Sequence, residues 1–352
     1  MIKVGIADDS PFTCKLLASY LQESGHCRIV GFAHDAPSTI SLMRTLTPDV
    51  LTLDLQMPGS DGLELLQQVA AEHPAAIVVI SGVTRRAAAT TLRALELGAV
   101  DFVLKYTPGV PVSAASLKRE IVAKVMTAAD ARARRSPAAT AVATASPAPA
   151  VGPLRREARR TPRKDEPAVI VIGSSTGGPG AVAELLAQLP KDFSAPCVIV
   201  QHLPAMFTTI FASQLERRTL LRVREAATGD RLEPGTVLVT PGAVNLWIKP
   251  DGRVELRPAP EHDLYRPSID VAMTSAAESF GAGAVGVVLS GLGNDGAEGL
   301  KRIRNAGGEG YIQDPASCIV ASMPDRALEH AGADHIGRPE RIGQLLAARG
   351  KS

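Results

Sequence analysis

Aromatic side chains are scarce in this chain: seven Phe, four Tyr and one Trp among 352 residues. Hydrophobic residues still make up 45%, so the cores must be assembled mainly from Ala, Val, Ile and Leu. Long apolar runs are missing as well. The stretches "AVIVIG", "APCVIV" and "AVGVVLSG" are strand-sized and fall far short of the ~18 residues of a membrane span. The amino-terminal "MIKVGIADDS" sets acids where a secretory segment needs apolar residues, which argues against export and for the cytoplasm. Cysteine is limited to Cys14, Cys27, Cys197 and Cys318, scattered without paired metal spacing and read as reduced thiols. Net charge is only +2, and it is unevenly placed. Residues 130–167 hold nine basic and four acidic side chains, which leaves the remainder at −3 and argues against a nucleic-acid-binding fold.

The length allows about two domains at ~150 residues each. The boundary falls in "RRSPAATAVATASPAPAVGPLRREARRTPRKDEP", where prolines at 137, 147, 149, 153, 162 and 167 interrupt any helix and little could bury a core. The reading gives a first domain at 1–127, a flexible Pro/Ala/Arg-rich linker at 128–167 and a second domain at 168–350. In the first, strand-like "IKVGIA", "CRIVGFA", "DVLTLD", "AIVVIS" and "VDFVLK" alternate with amphipathic helical patterns, which implies a parallel sheet covered on both faces. The second resumes the alternation from "AVIVIG" to a last strand near "EGYIQD". It adds a hairpin in "LWIKPDGRVELRP" with Asp251 and Gly252 at the turn.

Open parallel sheets bind ligands beyond the carboxyl ends of their strands. In the first domain those ends carry Asp8, Asp9, Asp54, Ser81 and Lys105. Three converging acids need a cation, and an oxygen-only set suits Mg²⁺. The constellation, with "LDLQMPGSDGLELL", resembles the response-regulator receiver domain over residues 1–127. That resemblance implies phosphorylation at Asp54 and Mg²⁺ held by Asp8, Asp9, Asp54 and the Gln56 carbonyl. Ser81 and Lys105 would contact the phosphoryl group, and Phe102 would report the switch. Tyr106 stands where the family usually has Pro.

The second domain opens with strand, glycine-rich turn and helix, "AVIVIGSSTGGPGAVAELL". A P-loop would need a lysine after its glycine, and Gly178 is followed by Pro179; a dinucleotide fingerprint is missing too. Gly173, Ser174, Ser175, Thr176 and Gly177 instead form a Gly-x-Ser-x-Gly turn that lifts Ser175 above a strand end. A serine needs a base, and His202 ends the strand "PCVIVQH", 27 residues on. Asp295 follows in "SGLGNDG", 93 residues beyond His202, in a glycine loop able to present N–H groups to an oxyanion. Each residue alone has a plain structural explanation; three at neighbouring strand ends point to a Ser-His-Asp triad.

The set "IGSSTGGP", "QHLP", "RPSID", "SGLGNDGAEG" and "ASCIVASMP" looks like the protein-glutamate methylesterase/glutaminase domain of bacterial chemotaxis (CheB). The resemblance implies hydrolysis of γ-glutamyl methyl esters on chemoreceptor helices and deamidation of receptor glutamines, through an acyl-enzyme on Ser175. It also implies an oxyanion N–H at Leu292, help from Thr176, and Arg266 with Ser268 near the substrate. Tyr265 stands where the family often has His. A chemotaxis histidine kinase would supply the phosphoryl group, phosphorylation would activate the enzyme, and the esterase site would need no cofactor. The expected architecture is α/β: a flavodoxin-like receiver and a Rossmann-like methylesterase domain with an inserted hairpin, in a monomer without membrane insertion. Two readings stay open beside it: a silent receptor-binding adaptor, and a triad hydrolase for another ester or amide.

Overall fold

The computed structural model describes residues 1–59, 61–82, 84–105, 114–135, 169–260 and 262–349. They fall into two compact units, divided between residues 152 and 153. Among the described residues no helix is long and apolar enough to cross a membrane. All four cysteines are free and buried.

The first unit alternates strand and helix without exception: β1 (Ile2–Ala7), α1 (Pro11–Gln22), β2 (Cys27–Ala33), α2 (Ala36–Leu46), β3 (Val50–Asp54), α3 (Gly62–Glu72), β4 (Ala76–Ser81), α4 (Arg85–Glu96), β5 (Asp101–Leu104) and α5 (Ala114–Arg135). The sheet is parallel throughout, in the order β2-β1-β3-β4-β5. Every residue of β3 and β4 is buried, as expected of strands covered on both faces. The strand order reverses between β1 and β3, so the crevice lies above Asp8, Asp9 and Asp54. Helix α5 runs past the anticipated boundary at 127, because Ile121, Val125, Ala128 and Ala131 continue a buried stripe at helical spacing. The anticipated linker from 136 onwards, and Tyr106, lie outside the described residues.

The second unit contains β6 (Val169–Ser174), α6 (Gly178–Leu186), β7 (Cys197–Gln201), α7 (Ala205–Glu216), β8 (Arg222–Glu225), β9 (Thr236–Val239), β10 (Val244–Ile248) and β11 (Val254–Pro258). It continues with α8 (Ile269–Phe280), β12 (Ala284–Val288), α9 (Ala297–Asn305), β13 (Glu309–Gln313), α10 (Ser322–His330), β14 (His335–Gly337) and α11 (Pro339–Arg349). Seven strands form one parallel sheet, ordered β14-β13-β12-β6-β7-β9-β8, while β10 and β11 pair as a separate antiparallel hairpin. Its core is the aliphatic one that the composition requires, with Val171, Val198, Ile269, Met273, Val288, Leu300 and Ile303 packed together. "EGYIQD" is not the last strand: β14 and two helices follow. Strand β14 has three residues and an exposed Ile336, too short to show any period in sequence.

The strand order reverses between β6 and its parallel neighbour β12. Loops leaving β6, β7 and β12 therefore open into one crevice, and those loops carry Ser175, His202 and Asp295.

Candidate functional site

In the first unit, Asp8 and Asp54 are buried and Asp9 is exposed, with one oxygen of each within 4.8 Å of the others. Lys105 Nζ lies 2.7 Å from Asp8 Oδ2 and 2.8 Å from Asp54 Oδ2. Burial alone would lower the Lys105 ammonium, but the two carboxylates outweigh it and hold the group above its ordinary range. The Gln56 N–H donates to Asp54 Oδ1 at 2.8 Å, and the Ser10 N–H to Asp8 Oδ1 at 3.0 Å. Asp8 Oδ2 is buried, with the lysine ammonium beside it. This all-oxygen set, three carboxylates against one ammonium, fits a hard cation such as Mg²⁺. Ser81 borders it, donating to the Gly82 carbonyl at 3.0 Å and accepting from Thr91 Oγ1 at 2.6 Å. Phe102 is buried, with Lys124 Nζ 4.9 Å from its ring centroid.

In the second unit, Ser175 rides on a turn tied to both neighbouring strands. Its N–H donates to the Ser290 carbonyl at 3.0 Å, and its own carbonyl accepts from the Gly178 N–H at 2.8 Å. Gln201, the last residue of β7, donates from Nε2 to that same carbonyl at 2.9 Å and accepts from Ser174 Oγ at 2.6 Å. The turn closes at Gly177, whose φ of 75° suits glycine. A Cβ there would stand 2.6 Å from Ile319 Cβ and 2.8 Å from Ser290 Oγ. Helix α6 begins at once, so its free N–H groups face the crevice. Register pairs Ser174 with Gln201, which puts Ser175 and His202 at the next level of adjacent strands.

His202 Nε2 lies 2.9 Å from Asp295 Oδ2. An ionised carboxylate only accepts, so Nε2 carries the proton and Nδ1 keeps the lone pair. Asp295 is 2% exposed, yet each of its oxygens is supplied twice. Oδ2 accepts also from the Ile269 N–H at 2.7 Å, and Oδ1 accepts from the Asp270 N–H at 2.9 Å and Ser268 Oγ at 3.1 Å. The carboxylate thus caps the first turn of α8, where the helix dipole favours negative charge. Asp270 returns the arrangement: its Oδ1 accepts from the Gly296 N–H at 2.9 Å and the Gly299 N–H at 2.6 Å, capping α9. Burial, and less strongly the charge of Asp295, push the Asp270 carboxyl up to about 6 against the pull of the Gly299 and Gly296 N–H groups.

Ser268, expected near the substrate, donates its hydroxyl to Asp295 Oδ1. Thr176 is buried beside Ser175, and its carbonyl accepts from Ser290 Oγ at 2.8 Å. Arg266 is exposed and has no carboxylate partner among the described residues. The N–H groups of Gly291, Gly293 and Asn294 are taken by Val320 O, Ser322 Oγ and Tyr265 Oη, whereas that of Leu292 has no acceptor among the described residues. Among the described residues no hydrogen bond joins Ser175 Oγ to the imidazole; such contacts often tighten only around a bound substrate. Gln201, Ser290 and Asp270 escaped the sequence reading. Their signals were a polar residue closing the buried strand "CVIVQ", a serine after "AVGVVL", and an acid in a helix's first turn.

A model of the CheB methylesterase family matches residues 170–346, and one of the response regulator receiver domain matches residues 4–115. The chain belongs to the CheB methylesterase family. Curated relatives span nearly its whole length. Protein-glutamate methylesterase/protein-glutamine glutaminase 1 of Albidiferax ferrireducens is 39% identical, covering 99% of this chain and 94% of the relative. A protein of the same name from Symbiobacterium thermophilum is 38% identical, covering 95% and 93%. Among solved structures, the CheB methylesterase catalytic domain of Thermotoga maritima is 34% identical with a TM-score of 0.50. It covers 52% of this chain and 98% of that one. The family's two-part plan, receiver before methylesterase, is the order of the two units here.

Proposed function

We propose that this CheB-family chain is a phosphorylation-activated protein-glutamate methylesterase and protein-glutamine glutaminase of the cytoplasm, acting on the cytoplasmic helices of chemoreceptors. The observation that carries the reading is the His202–Asp295 pair, 2.9 Å apart, at the strand end next to the Ser175 turn. Ser175 Oγ attacks the side-chain carbonyl carbon of a receptor glutamyl methyl ester while His202 Nδ1 takes the hydroxyl proton. Asp295 holds the ring in the tautomer that leaves Nδ1 free and stabilises the imidazolium. The Leu292 N–H, which has no internal acceptor among the described residues, receives the oxyanion. Collapse returns the proton to the leaving group, releasing methanol, or ammonia from a glutamine. Water then attacks the acyl-serine with the same base assisting, freeing the glutamate carboxylate and Ser175. Thr176 lines the nucleophile's side of the crevice, Ser268 fixes Asp295, and Arg266 is the cation that meets the acidic product or its neighbours.

In the receiver, Asp54 is the phosphoryl acceptor, supplied by a chemotaxis histidine kinase. Asp8, Asp9, Asp54 and the Gln56 carbonyl would hold Mg²⁺, which when bound neutralises the carboxylates and the incoming phosphoryl oxygens. Lys105 is within reach of both buried carboxylates and pairs with the phosphoryl group, and Ser81 and Phe102 lie on the face that answers to it. Methanol release from methylated receptor, with and without acetyl phosphate and Mg²⁺, tests the proposal. The expected result is release by the wild type that rises on phosphorylation. No release under either condition favours the silent adaptor; activity on simple esters but not on receptor favours a hydrolase of other substrates.

A further inference from the structure

The segment between β11 and α8 brings Tyr265 onto the face of His202. The rings stack with centroids 5.0 Å apart and planes inclined by 13°. The phenol then reaches the loop after β12: Tyr265 Oη donates to Asn294 Oδ1 at 3.0 Å and accepts from the Asn294 N–H at 3.2 Å. Asn294 lies between the free N–H of Leu292 and the carboxylate of Asp295. Gly293, with φ 106°, passes so near that a Cβ there would stand 2.1 Å from Oη. One side chain therefore touches both the ring of the base and the loop that holds its orienter and the oxyanion N–H.

We propose that Tyr265 is a positioning residue for ester hydrolysis, setting the plane of the His202 imidazole and fixing residues 292–295 against it. The inference rests on the methylesterase reading above. The bond from Nε2 to Asp295 anchors the ring at one edge, and the flat stack fixes its plane. As the imidazole becomes cationic, the tyrosine face also favours the charge. The two phenol bonds restrain a loop whose glycines 291, 293 and 296 would otherwise leave it several conformations. Small displacements of groups aligned for reaction lower turnover more than they lower binding.

Three variants of the full chain separate these effects. Tyr265→Phe keeps the stack and removes both phenol bonds; Tyr265→Leu removes stack and bonds; Tyr265→His keeps a planar ring with an N–H donor. Each is assayed for methanol release from methylated receptor with acetyl phosphate and Mg²⁺. Each is also tested for the rate of Ser175 labelling by a small phosphonate, and for the NMR shifts of the His202 ring protons. The expected result is roughly a tenfold or larger loss of kcat in Tyr265→Leu with KM within about twofold, a smaller loss in Tyr265→Phe, and recovery towards wild type in Tyr265→His. Labelling rates should follow the same order, and only Tyr265→Leu should lose the upfield ring-current shift. Wild-type kcat and labelling in Tyr265→Leu, or equal losses in all three variants, would overturn the proposal. If the wild type releases no methanol, the methylesterase reading fails, while the labelling and NMR comparisons still decide whether Tyr265 positions His202.

Discussion

Replacing Asp295 by Asn is unusually informative, because each oxygen of the native carboxylate accepts two hydrogen bonds. The amide can turn either way, and each way sets its NH₂ group against two donors. With NH₂ towards His202 and Ile269, the imidazole must take the opposite tautomer, Nδ1 is protonated, and the base is lost. With NH₂ towards Ser268 and Asp270, the Ser268 hydroxyl can rotate to accept, and only the Asp270 N–H is orphaned. Each arrangement thus orphans one backbone N–H, of Ile269 in the first and of Asp270 in the second, at about 1–3 kcal/mol for a buried unpaired donor. Both remove the negative charge facing the imidazolium, and the first removes the working tautomer as well.

Turnover of Asp295→Asn should therefore fall by roughly 10³–10⁴-fold with little change in KM, as expected when one member of a triad stops supporting the others. Trp247, the only tryptophan, lies in β10 of the catalytic unit, so its fluorescence during urea unfolding reports that unit alone. The loss of stability should match one orphaned donor. Asp295→Ala leaves all four donors without their acceptor and should be destabilised by several times as much. A folded Asp295→Asn enzyme with kcat within tenfold of wild type would refute the role given to this carboxylate. Equal destabilisation by Asn and Ala would refute the assignment of donors to its two oxygens.

Ser175→Ala should abolish methanol release and phosphonate labelling while leaving the Trp247 unfolding midpoint nearly unchanged, since it removes one oxygen from a turn held by backbone bonds. Acetyl phosphate with Mg²⁺ should add one phosphoryl group to the wild type and none to Asp54→Asn by intact-mass measurement; equal labelling of the mutant would remove Asp54 as acceptor. Asp270 titrates near 6 when folded and at 3.8 by its ordinary value, so the folded state holds the proton more tightly between those limits. Stability should accordingly decline as pH rises from about 4 to about 6, by at most about 3 kcal/mol, and level off above. Asp270→Asn, which keeps an oxygen for the Gly296 and Gly299 N–H groups, should flatten that part of the urea-midpoint profile; an unchanged slope would place the titration elsewhere.

Much of this was legible in the sequence. Buried parallel strands read as unbroken apolar runs, and polar residues just past them mark the crevice, which is how Asp8, Asp54, Ser175, His202 and Asp295 could be picked out. Strands β8 and β14 were not legible, since "RVRE" buries one side chain well and "HIG" is three residues long. The capping exchange between Asp270 and Asp295 was hidden for another reason. Each acid reads locally as an ordinary helix-start residue, and nothing local says that it serves the other's helix. "RPSID" likewise placed Ser268 near the chemistry, and only coordinates show its hydroxyl turned onto Asp295. Tyr265 stood out only as a departure from the family's usual residue, while its stack on His202 depends on the path of the whole segment.

Both units set buried carboxylates at the carboxyl ends of parallel strands, and their surroundings separate what those carboxylates can do. Among the described residues Asp295 has four donors, and the two that are backbone N–H groups at a helix start cannot leave without unwinding that turn. Its charge is fixed in place and its oxygens are shielded from any electrophile, which suits a group that must orient a base and never react. Among the described residues, Asp54 has one backbone donor on Oδ1, and Oδ2 meets only the ammonium of Lys105, a side chain free to follow an incoming phosphoryl group. That oxygen remains a nucleophile. The number and mobility of the donors, more than burial, which is nearly complete for both, suit one carboxylate to the proposed task of holding a histidine and the other to the proposed task of carrying a phosphoryl group.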